Sequence, residues 1–397
     1  MTGKIKDRLY DTKWWFSRQL SYRQFLPSKE DLESNEAKEL SKLLVGDSCK
    51  ETLTNIVEWQ ERNIQYWDER ADMFTLLLIL SITAFVFVLI PVQQYLWILP
   101  LIVLCFLFLG DFMTFFISAL FLTIYIIIAI LVFVYVANTS VIIMAVGLSV
   151  IFGSILSLLL YGILKYRHLK RAVREFKFED AFKLSLPVKK ILQYRLAICR
   201  DYAKLTAALL INSFNSKDNI YFMCIPNHVA TAMEIKGRIY FLDQHLPIKT
   251  REKWIEYWSR RYFDSFLSRL PFQNIRKRMP LQLYKLIVED GEIRMNEVSR
   301  QKMHNVKNIP RVDVNTLTKK IVSKLGIKQI SDKSEPDAKI TFRYFALYCD
   351  EDEIVEFSLL KAIINRLHSE LCDNMRKITK IEMLQNEVDL ILKIYLG

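Results

Sequence analysis

Between Met73 and Leu164 the chain carries a single charged side chain, Asp111. Few stretches constrain a fold more. A membrane-spanning helix takes about 20 apolar residues, so this block is read as about four spans. They are expected near Met73–Ile90, Tyr95–Leu109, Phe112–Ala137 and Val141–Leu164. The breaks fall at Pro91–Gln94, Gly110-Asp111 and Asn138–Ser140. The second span is short, which leaves three or five crossings as alternatives.

Five basic residues follow the block directly: Lys165, Arg167, Lys170, Arg171 and Arg174, with no acid among them. That bias marks the cytoplasmic side and suits anionic headgroups. An even number of crossings returns both flanks to one side. The expectation is therefore a multi-pass protein of the cell membrane with cytoplasmic N- and C-terminal parts and the lipid bilayer as a partner. Transport needs ionisable groups within the spans. Asp111 is the one candidate and falls at a break, so the block reads as an anchor.

The net charge of +12 does not by itself imply nucleic acid. No RNA-binding signature or zinc-finger spacing accompanies it, and no nucleic-acid partner is expected. Six cysteines (Cys49, Cys105, Cys199, Cys224, Cys349 and Cys372) are scattered without a CxxC pair, which fits a reducing compartment. The start lacks the apolar core of a signal peptide.

Four regions follow: an N-terminal helical segment (1–72), the apolar block (73–164), a mixed region (165–248) and a C-terminal region of unassigned role (249–397). In the first, Leu53, Ile56, Val57, Trp59, Ile64 and Tyr66 recur at helical spacing after Asp47 or Ser48 as cap. In the third, a helix beginning near Cys199 precedes the strand Ile220–Ile225. Val229–Ile235 and Arg238–Leu242 flank Lys236-Gly237, a hairpin signal. In the fourth, Trp254, Tyr257, Trp258 and Phe263 suggest a packed aromatic helix. Val312–Leu325 and Glu353–Leu371 read as helices, with a strand within Ile340–Cys349.

The chemistry concentrates in the third region. Cys199 opens a helix, where unpaired N–H groups and the helix dipole favour a thiolate. If Lys236-Gly237 is a two-residue turn, Ile235 faces Arg238 and Ala230 faces Asp243. His228 and Asp243 then become diagonal neighbours about 7–8 Å apart at Cα, within imidazole–carboxylate reach. A one-residue slip would separate them. Cys199 is thus the candidate nucleophile, His228 its base and Asp243 the group that orients the base. The Cys199 N–H and Gln193 are candidate oxyanion donors. Asp201, just inside the helix, reads as structural, capping the helix or holding a neighbouring turn. His245 competes with His228 as base. A zinc site from Cys224, His228, Cys199 and His245 is the metal alternative, without finger spacing. No cofactor is required.

At these residues the chain resembles the transglutaminase-like superfamily, relatives of papain-type cysteine proteases. The similar segments are Cys199-Arg200-Asp201-Tyr202-Ala203 with its apolar helix, Asn227-His228-Val229, and Tyr240-Phe241-Leu242-Asp243-Gln244. Pro187–Leu192 is similar to the approach to the family's cysteine. Ala197 stands where the family usually has glycine, and Ala230 where an aromatic often follows.

The resemblance implies an α+β core, a cysteine helix packed on an antiparallel sheet, and Cys199, His228 and Asp243 as triad. The helix around Ile56–Tyr66 is similar to the family's preceding helix, which would make the apolar block an insertion in the catalytic fold. The expected activity is that of a cysteine peptidase or a transglutaminase-type acyltransferase acting on a protein or peptide amide. The alternative is a catalytically silent fold kept for protein interaction at the membrane.

Overall fold

The computed structural model describes residues 25–67, scattered positions between 163 and 183, and residues 185–214, 219–225, 228–264, 279–289, 292–303, 309–330 and 333–397. The chain divides into two compact units, residues 66–186 and the remainder. In the smaller unit the rings of Trp67 and Phe176 meet edge to face at 5.0 Å. The Lys170 ammonium donates to the Phe176 carbonyl at 3.0 Å.

The larger unit joins residues up to Gln65 with those from Pro187 onward. Three helices lead: α1 (Lys29–Glu33), α2 (Asn35–Leu44) and α3 (Cys49–Asn63). Serines cap all three, Ser28, Ser34 and Ser48, each accepting from a first-turn N–H. The cap of α3 is thus Ser48. The helix stops at Asn63, short of Ile64 and Tyr66 from the same apolar pattern. Then come α4 (Val188–Tyr194) and α5 (Cys199–Ser213). Every α5 residue from Asp201 to Ile211 is buried, so α5 is the central helix of the unit.

Its sheet is antiparallel and six-stranded, in the order β4-β3-β2-β1-β5-β6. The strands are β1 (Ile220–Ile225), β2 (His228–Ile235), β3 (Arg238–Leu242), β4 (Lys249–Thr250), β5 (Met279–Glu289) and β6 (Glu292–Met303). Lys236 and Gly237 form the two-residue turn between β2 and β3, both at positive φ, as a type I′ turn requires. Ile235 consequently pairs with Arg238 and Thr231 with Leu242.

Alternation along β2 sends residues to two sides. Thr231 donates its hydroxyl to the Ala203 carbonyl of α5 at 2.7 Å. Ala230 and Ala232 instead join a cluster with Phe241 and with Trp254 of helix α6 (Arg251–Asp264). The sheet thus lies between α5 and α6.

The C-terminal region adds α7 (Val314–Leu325), β7 (Ala338–Phe342), α8 (Glu353–Leu371), β8 (Ile378–Asn386) and β9 (Asp389–Leu396). Its sheet runs β8-β9-β7 over a core that includes Ile321, Ile340, Ile363, Leu367 and Leu392. The strand within Ile340–Cys349 ends at Phe342, where the chain turns through a short 3₁₀ segment at Phe345–Leu347. Asp352 ties this region to β3, accepting from Tyr240 Oη at 2.7 Å and Arg238 Nη1 at 2.9 Å.

Among the described residues no helix is long and apolar enough to cross a membrane. The longest described helix, α8, buries Val355, Leu359, Ile363 and Leu367 on one side. It carries Glu353, Glu356, Lys361, Arg366 and Glu370 along its length, charges that hydrocarbon does not accommodate. The expected α+β fold with a four-span membrane block is corrected accordingly to an α+β fold with no spanning helix among the described residues. The multi-pass membrane location is corrected with it. Apart from Ile163 and Leu164, the segments assigned to those spans lie outside the described residues.

Candidate active site

Cys199 is the first residue of α5. The Asp201 carboxylate reaches back to accept the Ile198 N–H at 3.1 Å, the capping role its position suggests. It is fully buried and fixes the turn that presents the thiol. The first N–H groups of a helix have no intrahelical partner, and Cys199 stands at that end of α5. Its sulfur accepts the backbone N–H of Val229.

His228 opens β2, and Asp243 follows β3. The register of the hairpin makes them diagonal neighbours, and the side chains meet. His228 Nε2 lies 3.0 Å from Asp243 Oδ1 and 3.1 Å from Oδ2. That leaves Nδ1 as the ring nitrogen for the thiol, and the imidazole and Cys199 are hydrogen-bonded. The structure therefore brings Cys199, His228 and Asp243 into one chain of contacts.

Three further N–H groups converge on Asp243. Its Oδ1 accepts the Gln244 N–H at 2.9 Å. Its Oδ2 accepts Trp254 Nε1 at 2.9 Å and Trp258 Nε1 at 3.2 Å. Trp258 also stacks on the His228 ring, with centroids 4.0 Å apart. The two tryptophans were legible as an aromatic helix, but nothing in their spacing names a carboxylate as their target.

The electrostatics follow from these contacts. Burial works against charge on all three groups, and the partners outweigh it. For Cys199, burial would raise the thiol. The His228 hydrogen bond and charge, the Arg200 charge and the Val229 N–H together bring it below its ordinary value. For His228, burial would lower the imidazolium, yet Asp243 and Cys199 push it up to about 9. Asp243 is held well below the carboxylate range against its burial, chiefly by His228, with Lys249 and Trp254 assisting. Elsewhere burial raises the thiol of Cys49 and pushes that of Cys349 up to about 12. Cys199 is shifted the opposite way, as a nucleophile requires.

The remaining candidates lie apart from this chain of contacts. His245 turns its Nδ1 toward Glu61 Oε1 at 3.6 Å and is mostly exposed. Gln193 lies on α4 with an exposed side chain. Asn227 falls outside the described residues. Among the described residues no group of three or more His, Cys, Asp or Glu side chains is placed to hold a metal ion. The zinc alternative from Cys224 therefore has no ligand set there.

A family model described as a transglutaminase-like domain matches residues 35–265. The chain is also similar to the UPF0252 protein MJECL39 of Methanocaldococcus jannaschii. The two are 26% identical over 372 residues, 92% of this chain and 93% of the relative. No solved structure matches significantly.

Proposed function

The chain belongs to the transglutaminase-like domain family, and on that premise we propose that it is a cysteine enzyme acting on amide bonds of a protein or peptide. The observation that carries the reading is His228, hydrogen-bonded to Cys199 on one side and to Asp243 on the other. A base that is itself oriented by a third group is the arrangement thiol catalysis needs.

The steps follow from the geometry. The thiol proton rests on His228, and the Cys199 sulfur attacks the carbonyl carbon. The Cys199 backbone N–H is the candidate donor to the developing oxyanion. The C–N bond then breaks, and the amine leaves with the proton from His228. Water or a second amine attacks the thioester carbonyl and gives its proton to His228 as the Cys199 sulfur departs. Water makes the enzyme a peptidase, and an amine makes it an acyltransferase.

The test is alkylation by iodoacetamide with residue-level mass spectrometry. Cys199 should react faster at neutral pH than the exposed Cys372, and His228→Ala should remove the advantage. Equal rates at the two thiols, unaffected by His228→Ala, assign the fold a binding role instead.

A further inference from the structure

Trp258 touches the candidate site twice. Its Nε1 donates to Asp243 Oδ2 at 3.2 Å. Its ring lies over the His228 imidazole, the planes 28° apart and the centroids 4.0 Å apart. Trp254, one turn earlier on α6, donates to the same oxygen at 2.9 Å but stacks chiefly on Phe241, at 4.7 Å. The helix is backed by the C-terminal region. Tyr257 meets Tyr344 at 5.7 Å and Tyr348 at 5.1 Å, both edge to face.

We propose that Trp258 is a positioning residue for the thiol–imidazole pair, its ring face supporting protonated His228 and its N–H steadying Asp243. This rests on the reading of Cys199 and His228 as a reactive pair. The two contacts act in opposite directions on the imidazolium. An indole face attracts a cation lying over it. An N–H donated to a carboxylate draws on the negative charge that Asp243 otherwise offers to His228. Trp254 and the Gln244 N–H keep Asp243 in place when the Trp258 donor is removed, so the two effects can be separated.

The other charged and titratable groups around the pair are themselves left unsubstituted in these variants. Arg200 faces Cys199. Lys249 of β4 faces Asp243 and, behind it, Glu61 of α3. Tyr348 faces Asp243, Tyr257 meets Trp258 edge to face at 5.3 Å, and the Arg261 guanidinium lies 5.2 Å from the Trp258 ring centroid.

The experiment is the pH profile of alkylation of the full-length chain by iodoacetate. This anion needs the thiolate and is drawn by the imidazolium, so its rate falls on the alkaline side as His228 loses its proton. Trp258→Phe keeps an aromatic face and loses the N–H, and should move the alkaline limb upward. Trp254→Phe loses only a donor and should move it the same way. Trp258→Leu loses the face as well, and should move the limb downward by about half a pH unit or more.

Limbs unmoved in all three variants overturn the proposal, as does a shift in the same direction for Trp258→Phe and Trp258→Leu. If Trp258→Leu does not fold by circular dichroism, the two phenylalanine variants decide, and an unmoved alkaline limb in both overturns it. A wild-type profile without a bell, indifferent to His228→Ala, sinks the enzyme reading itself. A normal wild-type bell with unmoved variants removes only the role of Trp258.

Discussion

Gln60 Nε2 donates to Thr206 Oγ1 at 2.9 Å across 146 positions of sequence. Gln60 belongs to α3, before the apolar block, and Thr206 to α5, the helix that begins at Cys199. Both side chains are buried. Tyr202 Oη, also on α5, donates to the Ile64 carbonyl at 2.7 Å. Segments from before and after the block in sequence thus share one packed core.

Breaking this junction should cost stability. Gln60→Ala leaves Thr206 without its side-chain partner and opens a cavity, and should lower stability by about 2 kcal/mol. Thr206→Val strands the Gln60 amide and should cost about 1–3 kcal/mol. In urea unfolding the double variant should lose less than the sum of the two. Additive losses would show the pair is not coupled.

Asp243 sets the proton affinity of His228. Asp243→Asn removes the charge that opposes burial of the imidazolium. The alkaline limb of iodoacetate alkylation should then fall from about 9 to about 6.5 or lower. A limb that stays near its wild-type position would show that the imidazolium does not depend on this carboxylate.

The same carboxylate links stability to acid. Its folded-state pKa lies below its unfolded value. Its contribution is therefore fully present above about pH 4 and is lost as pH falls through the folded-state value. Urea midpoints measured downward from neutral pH should decline more steeply for wild type than for Asp243→Asn. Parallel slopes would contradict this assignment.

Asp352 joins the C-terminal region to the sheet and caps α8, accepting the Ile354 N–H at 2.9 Å. Asp352→Ala removes a cap, a bond to Tyr240 and an ion pair with the largely exposed Arg238. The cap and the Tyr240 bond should account for a loss of about 2 kcal/mol. Tyr240→Phe, which keeps the cap, should lose about half of that in thermal unfolding.

What was legible in the sequence was local. Lys236-Gly237 named a tight turn, and strand alternation then placed His228 diagonal to Asp243 without any knowledge of the sheet. The place of Asp201 in the first turn of α5 marked it as a cap or the holder of a neighbouring turn, and the structure shows the cap. The β8–β9 hairpin was not legible. Its turn passes through Glu387 at positive φ with no glycine to mark it, and the mixed segments on either side carry no clear period of either kind. The apolar block suggested spans because hydropathy averages over a window and carries no information about partners. Among the described residues no such helix is found.

The sequence by itself determined the order and spacing of Cys199, His228 and Asp243, because turn chemistry and strand period act over a few residues. Only the tertiary structure decided what surrounds them. The indole N–H groups of Trp254 and Trp258 reach Asp243, and Gln60 reaches Thr206, through packing of helices on a sheet. Such contacts depend on where distant segments are brought in space, and no periodicity within a segment records that.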